Sequence, residues 1–308
     1  KATETIDWGE QPPFKILLVN DDGPPSPASP FISTFIELLS LAVPYASIYV
    51  CIPSTQQSWV SKGLNRFGTI TCKHLEKGIF PYPIFSGQDL VGHGQLPNRS
   101  NAQCTIVDGS PATCVLMAVH HLCPFRPDLV ISGPNLGQNC GTSYMLSSGT
   151  LAGSIESSLL NIRAISLSIA YDHLPADWTS EEEGIRRSCR TLIRAVGRLW
   201  KFWPVVVDRL LYNVNVKYEC HPNPQIRLCT AVDESYGPLF AEVHRGSDFH
   251  NDAHQSEYVF DKCLFRNDSP PGSDRWAINN GFVAVTPLLP RFAEPVLPST
   301  LADCLNCT

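Results

Sequence analysis

The chain has no run of about 18 apolar residues, so no stretch is long and apolar enough to form a membrane-spanning helix. It has no basic excess either. The 23 Lys and Arg against 29 Asp and Glu leave a formal charge of −6, which argues against a polymeric nucleic acid held through its phosphates. A free nucleotide or small phosphate ester stays open, because a bound cation can offset the repulsion. No Gly-x-Gly-x-x-Gly follows the first predicted strand, which removes the dinucleotide fingerprint. No Gly-x-Ser-x-Gly elbow is present, which argues against a serine hydrolase. There is no internal repeat and no low-complexity tract.

With 308 residues and 43% apolar content the chain can bury a large core, as one domain or one domain plus an appendage. Its 12 cysteines are an even number and permit disulfides, although Cys51, Cys104 and Cys114 lie in or beside apolar runs where a thiol packs as a small hydrophobe. Sequons at Asn98, Asn267 and Asn306, together with the cysteine content, lean towards secretion. Lys rather than Met at position 1 reads as a processed or engineered start. Cys304-x-x-Cys307 lacks a second ligand pair, so it reads as a terminal disulfide or two ordinary thiols rather than a zinc site.

Strand-like and helix-like segments alternate through the first two thirds. Strands are expected at 15–20, 46–52, 105–108, 128–132 and 164–170. Helices are expected at 30–42, from the Ser110 cap and Pro111 to Leu122, at 149–160, and from a Ser180 cap through 181–200. A less regular section covers 54–101. This alternation implies an α/β fold with a mostly parallel sheet covered by helices on both faces. The expected division is a core over 1–215 and, over 216–308, a C-terminal β arm, a last core strand at 281–288 and a tail.

The first strand empties into Asn20-Asp21-Asp22-Gly23-Pro24. Adjacent carboxylates repel unless a cation or donors lie between them, and oxygen ligands favour Mg²⁺, Mn²⁺ or Ca²⁺ over zinc. The same residues also make a good chain-reversing turn. A second strand end runs into Gly133-Pro134-Asn135-Leu136-Gly137-Gln138-Asn139, where Asn135 can offer a carbonyl oxygen to a metal. Ser147-Ser148-Gly149-Thr150 precedes a helix and reads either as an anion site or as plain capping. Ser58, just past the second strand, can add a hydroxyl to a metal shell or be an ordinary loop residue.

In this order the segments resemble the SurE family of metal-dependent nucleotide phosphatases. Asn20-Asp21-Asp22-Gly23 matches the hallmark turn, and Ser58 sits at the family's metal-binding serine. Gly109-Ser110-Pro111-Ala112-Thr113-Cys114-Val115 matches a helix start, Ser132-Gly133-Pro134-Asn135 a Ser-Gly-x-Asn motif, and Ser148-Gly149-Thr150 the phosphate loop. Tyr212-Asn213-Val214-Asn215-Val216 and the strand from Gly281 continue the match, and Gln57-Ser58-Trp59 points to the fungal acid-phosphatase-like branch.

The resemblance implies a Rossmann-like α/β core with an extended C-terminal β arm. It implies a divalent cation, Mg²⁺ or Mn²⁺ with Ca²⁺ as a structural occupant, held by Asp21, Asp22, Ser58 and Asn135. Asp21, Asp22 and Asn20 would carry catalysis, with Asp21 orienting or deprotonating a water. Ser148, Gly149, Thr150 and Asn139 would hold the phosphate of a nucleoside monophosphate or another small ester. It also implies a homodimer or homotetramer built partly by the arm, and admits a cytoplasmic protein as well as a secreted one. His244, His250 and His254 are candidate proton donors in that arm, whereas His120-His121 suits a helix end. The rival reading is a nucleotide- or metal-binding module that keeps the fold without the chemistry. An aspartyl-phosphate mechanism normally spaces its two Asp by one residue, and here they are adjacent.

Overall fold

Ile16 to Val19 are apolar without alternation, the pattern of a strand covered on both faces, and Lys15–Val19 forms strand β1 with those four side chains fully buried. The computed structural model describes residues 6–9, 13, 15–76, 79–82, 92–95, 102–218, 220–243, 256–261 and 269–291, with the backbone alone for 79–82 and 92–95.

After β1 come helix α1 (Ile32–Ala42), β2 (Ser47–Pro53), β3 (Cys72–His74), β4 (Ile79–Tyr82), β5 (Gly92–Gln95) and β6 (Gln103–Val107). Next are α2 (Pro111–Met117), which loosens into a π turn over 118–122, then β7 (Leu129–Leu136), α3 (Thr142–Ser147), α4 (Gly149–Leu159), β8 (Arg163–Ala170) and α5 (Glu182–Lys201). The described elements then continue with β9 (Leu211–Lys217), β10 (Ile226–Leu228), β11 (Phe240–Glu242), β12 (Tyr258–Phe260), α6 (Asp274–Asn279) and β13 (Val283–Leu288).

Nine of these strands form one sheet in the order β10-β13-β9-β8-β7-β1-β2-β6-β3. Its pairings are parallel except β13 with β9 and β3 with β6. The expected α/β class with a mostly parallel sheet is what the chain adopts. Side chains from alternate positions feed two cores. Ile16 and Leu18 share one with Phe35 of α1 and Leu192 of α5, while Leu17 and Val19 share the other with Val115 of α2 and Leu151 of α4. Each such buried side chain contributes about 1.5–3 kcal/mol.

The chain winds from β1 to β2 on one side and returns to β7 on the other, so the sheet switches direction beside β1. A crevice opens outside the carboxyl ends of strands at such a point. An irregularity in β7 lies beside it. Pairing with β8 shifts register between Ser132 and Asn135, across the cis Gly133-Pro134 bond. Gly133 holds a φ of +123°, and a Cβ there would lie 2.3 Å from the Leu167 carbonyl oxygen. Gly133→Ala should therefore destabilise the protein by about 2–4 kcal/mol in urea titration. A change below about 0.5 kcal/mol would show that the strands part easily here.

Two expectations change. Ser180 does not cap α5: it ends a short 3₁₀ turn, its hydroxyl donating to the Asp177 carbonyl at 3.0 Å, and α5 begins after Glu181 with no side-chain cap. The acidic first turn, Glu182 and Glu183, stands at the positive end of the helix dipole instead. The expected boundary at residue 215 falls inside β9, and β10 and β13 beyond it join the same sheet. The part of the arm that is described is the β11–β12 hairpin.

Among the described residues nine cysteines are free thiols, most of them buried, and burial pushes those of Cys104 and Cys114 up. Cys263, Cys304 and Cys307, the three sequons, and His244, His250 and His254 lie outside the described residues.

Candidate active site

β1 ends in a turn that Asn20 closes with its own side chain. The amide donates to the Gly23 carbonyl at 2.8 Å and accepts the Gly23 N–H at 3.2 Å, and the Ser29 hydroxyl reaches the same carbonyl at 3.1 Å. Gly23 takes a φ of +76°, which suits glycine. Asn20 is thus spent on the turn and does not line the pocket, whereas Asp21 and Asp22 do.

Both carboxylates are buried, at 2% and 4% exposure, and among the described residues neither has a cationic partner. Asp21 accepts the Thr150 hydroxyl at 2.6 Å, and Asp22 accepts the Leu136 N–H at 2.7 Å. Burial pushes the Asp21 carboxyl up to about 6. Burial, followed by the neighbouring Asp21 charge, pushes Asp22 well above the usual carboxylate range. A pair raised in this way favours a shared proton or a cation between its oxygens.

A pocket of about 760 Å³ lies over the pair. Ser58 and Asn135 also line it, so the structure brings together all four expected metal ligands. Ser58 sits in a loop tied to the acidic turn by the Gln57 N–H, which donates to the Asp21 carbonyl at 2.6 Å; its hydroxyl accepts from the Gln56 amide. Asn135 donates its amide N–H to the Gly137 carbonyl at 3.0 Å, which leaves Oδ1 as its available donor atom to a metal. Among the described residues no three His, Cys, Asp or Glu side chains converge. The set is two carboxylates plus neutral oxygens, which suits a hard cation that keeps several waters.

The expected phosphate residues divide. Ser148 and Asn139 line the pocket, but Gly149 and Thr150 do not. Ser148 caps α4 through the Leu151 N–H at 3.0 Å. Thr150 is fully buried and spends its hydroxyl on Asp21, so its place is behind the carboxylate. Asn139 uses its side-chain amide N–H groups on Ser168 at 2.8 Å and Thr150 at 3.3 Å, and its backbone carbonyl accepts from the Asn213 amide at 2.7 Å.

Two groups of residues were not expected. Trp59 and Tyr144 line the pocket, with Tyr236 and Phe260 behind Trp59. The other group braces the loop between β7 and α4 from the C-terminal third. Asp274, fully buried, accepts the Gly141 N–H at 2.8 Å and the Val232 N–H at 3.2 Å. Arg275 pairs with Glu234 and donates to the Cys140 carbonyl at 3.1 Å. A buried Asp-Arg pair at a Ser273-capped helix start was the available signal.

Residues 16–237 match the family model described as survival protein SurE. The chain is 36% identical over 220 residues to the probable tubulin–tyrosine ligase PBY1 of Saccharomyces cerevisiae, covering 66% of this chain but only 28% of that protein. It is 28% identical over 282 residues to the 5′-nucleotidase SurE of Caulobacter vibrioides, covering 89% of this chain and 90% of that one. The crystal structure of the SurE protein from Aquifex aeolicus superposes with a TM-score of 0.67 at 22% identity, over 95% of this chain and all of the other, a likeness of fold. With the family model spanning most of the chain, and the acidic turn, Ser58 and Asn135 meeting in one pocket, the chain belongs to the SurE family.

Proposed function

We propose that the chain is a divalent-cation-dependent phosphomonoesterase acting on nucleoside monophosphates or other small phosphate esters. The buried Asp21–Asp22 pair on the pocket wall, with no cationic partner among the described residues, carries this reading. The relatives named 5′-nucleotidase support it.

Asp21, Asp22, Ser58 and Asn135 would hold Mg²⁺ or Mn²⁺. A cation bound there would polarise a phosphoryl oxygen and lower the pKa of a bound water. Thr150 holds Asp21 in place to orient that water and take its proton, while the Leu136 N–H fixes Asp22. Ser148, on the pocket wall, would face the phosphate, and Asn139 would act chiefly by bracing Thr150 and the loop. Asn20 sets the direction of both carboxylates through the turn. Catalysis is then positioning plus electrostatics, as is usual for phosphoryl transfer. The β11–β12 hairpin and the residues around it would build a homodimer or homotetramer.

Phosphate release should be measured on a panel of nucleoside monophosphates and simple esters with Mg²⁺, with Mn²⁺ and with chelator. Chelation should reduce turnover about a hundredfold or more, and metal should restore it. Folded protein that binds the metal but releases no phosphate from any ester would instead establish a binding module.

A further inference from the structure

Trp59 stands in a conformation that bulky side chains avoid, with a φ of +64°, and Ser61 follows at +54°. Such backbone persists only where its surroundings hold it. Here both flanks are held. Before the indole, the Gln57 N–H donates to the Asp21 carbonyl at 2.6 Å; after it, Ser61 donates its N–H to the Ser147 carbonyl at 2.9 Å and its hydroxyl to the Leu146 carbonyl at 2.6 Å. The indole is therefore set at a fixed place between the acidic turn and α3.

The ring does not earn that conformation by filling a core, because it is 45% exposed and lines the pocket. It rests on other aromatic rings, with centroids 5.3 Å from Phe260, 5.4 Å from Tyr236 and 6.0 Å from Tyr144. Tyr236 is itself fixed, its hydroxyl touching the Ser143 carbonyl and the Ser147 hydroxyl. One pocket thus has two chemically different parts, buried carboxylates at the strand ends and a supported aromatic surface beside them. A substrate that fits both carries a phosphate at one end and a planar apolar ring at the other.

We propose that Trp59 is a specificity residue, a stacking platform that makes the pocket select phosphate esters whose leaving group carries a planar aromatic ring, as a nucleobase does. The assignment rests on the phosphomonoesterase reading for its kinetics and on ring stacking for its binding.

The discriminating pair of substrates is a nucleoside 5′-monophosphate and ribose 5-phosphate, which differ by the base alone. The variants are Trp59→Gly, which suits the left-handed backbone and so keeps the loop, and Trp59→Phe, which keeps a ring. Trp59→Gly should lower kcat/KM for the nucleotide roughly 5- to 150-fold, with a much smaller loss for ribose 5-phosphate, and Trp59→Phe should recover most of it. Equal losses for both substrates would mean that Trp59 merely anchors the hairpin through Phe260, and would overturn the proposal. So would a wild-type protein that does not distinguish the two. Calorimetric affinities of both compounds, taken in chelator, make the same comparison without turnover. If neither these two compounds nor any ester of the panel releases phosphate, the phosphomonoesterase reading fails, while the affinity ratio and its response to Trp59→Gly still decide the platform.

Discussion

Asp22→Asn is expected to lower kcat/KM for phosphate release by roughly 10²–10³ and at the same time to raise the melting temperature of the metal-free protein by roughly 2–6 °C at pH 7.5. The two effects have one cause. Asp22 is buried beside Asp21, and both carboxyls are pushed above their ordinary values by loss of water. An acid raised in the folded state contributes stability that is fully present below its unfolded pKa and is lost as pH rises through its folded one. The metal-free wild type should therefore weaken as pH climbs from about 4 through about 6 and beyond, where Asp21 and then Asp22 ionise. Asn cannot ionise, so the variant escapes the Asp22 part of that loss, and the two melting temperatures should converge near pH 3.5. Mg²⁺ should restore the wild type at pH 7.5 and do little for the variant. Wild-type activity in Asp22→Asn, or a lower melting temperature than wild type in chelator, would remove Asp22 from the role given to it.

Gly149→Ala should cost about a hundredfold in kcat/KM through geometry alone. A Cβ at this position would lie 2.6 Å from the Gln57 carbonyl oxygen, 2.9 Å from Asp21 Cβ and 3.1 Å from Asp21 Oδ2. Neither neighbour yields easily. The Gln57 N–H is bonded to the Asp21 carbonyl, and Asp21 is held by Thr150 on the same helix as Gly149. The strain therefore falls on the carboxylate proposed to orient water, and an ångström of misplacement there suffices for the loss. The fold should weaken by about 1–3 kcal/mol, the usual cost of overpacking. Unchanged kcat/KM with a lowered melting temperature would mean that the helix moves as a body and Asp21 stays in place.

What could be read in advance follows from local chemistry. β1, β7 and β8 are buried on both faces and announce themselves as apolar runs; Ser110 and Ser148 announce the starts of α2 and α4 by capping. Asp21, Asp22, Ser58 and Asn135 stand out because the first three follow strand ends and Asn135 lies in the last part of β7, and parallel strands carry their ends to one edge. Contacts across long separations were not. Thr150 looks like a phosphate ligand beside Ser148 and Gly149, and only the folded chain shows its hydroxyl bonded to Asp21, 129 residues earlier. Trp59 is one aromatic residue in an irregular loop, with no period to mark it. The six-residue helices α3 and α6 are too short for periodicity, and no local feature of β13 says that it enters between β9 and β10, antiparallel to β9 and parallel to β10.

The bracing of the pocket loop by Asp274 and Arg275, next to the late strand β13, orders events during translation. A nascent chain that has emerged only to residue 237 already contains both carboxylates, Ser58, Asn135 and Trp59, yet lacks the side chains that hold Cys140 and Gly141. Domains tend to form as they leave the ribosome, and this pocket cannot be finished until nearly the whole described chain is out. Hydrolytic competence is thus acquired late and all at once, so ribosome-bound fragments stopped short of α6 should be inert even where β1, β2, β7 and β8 have already paired.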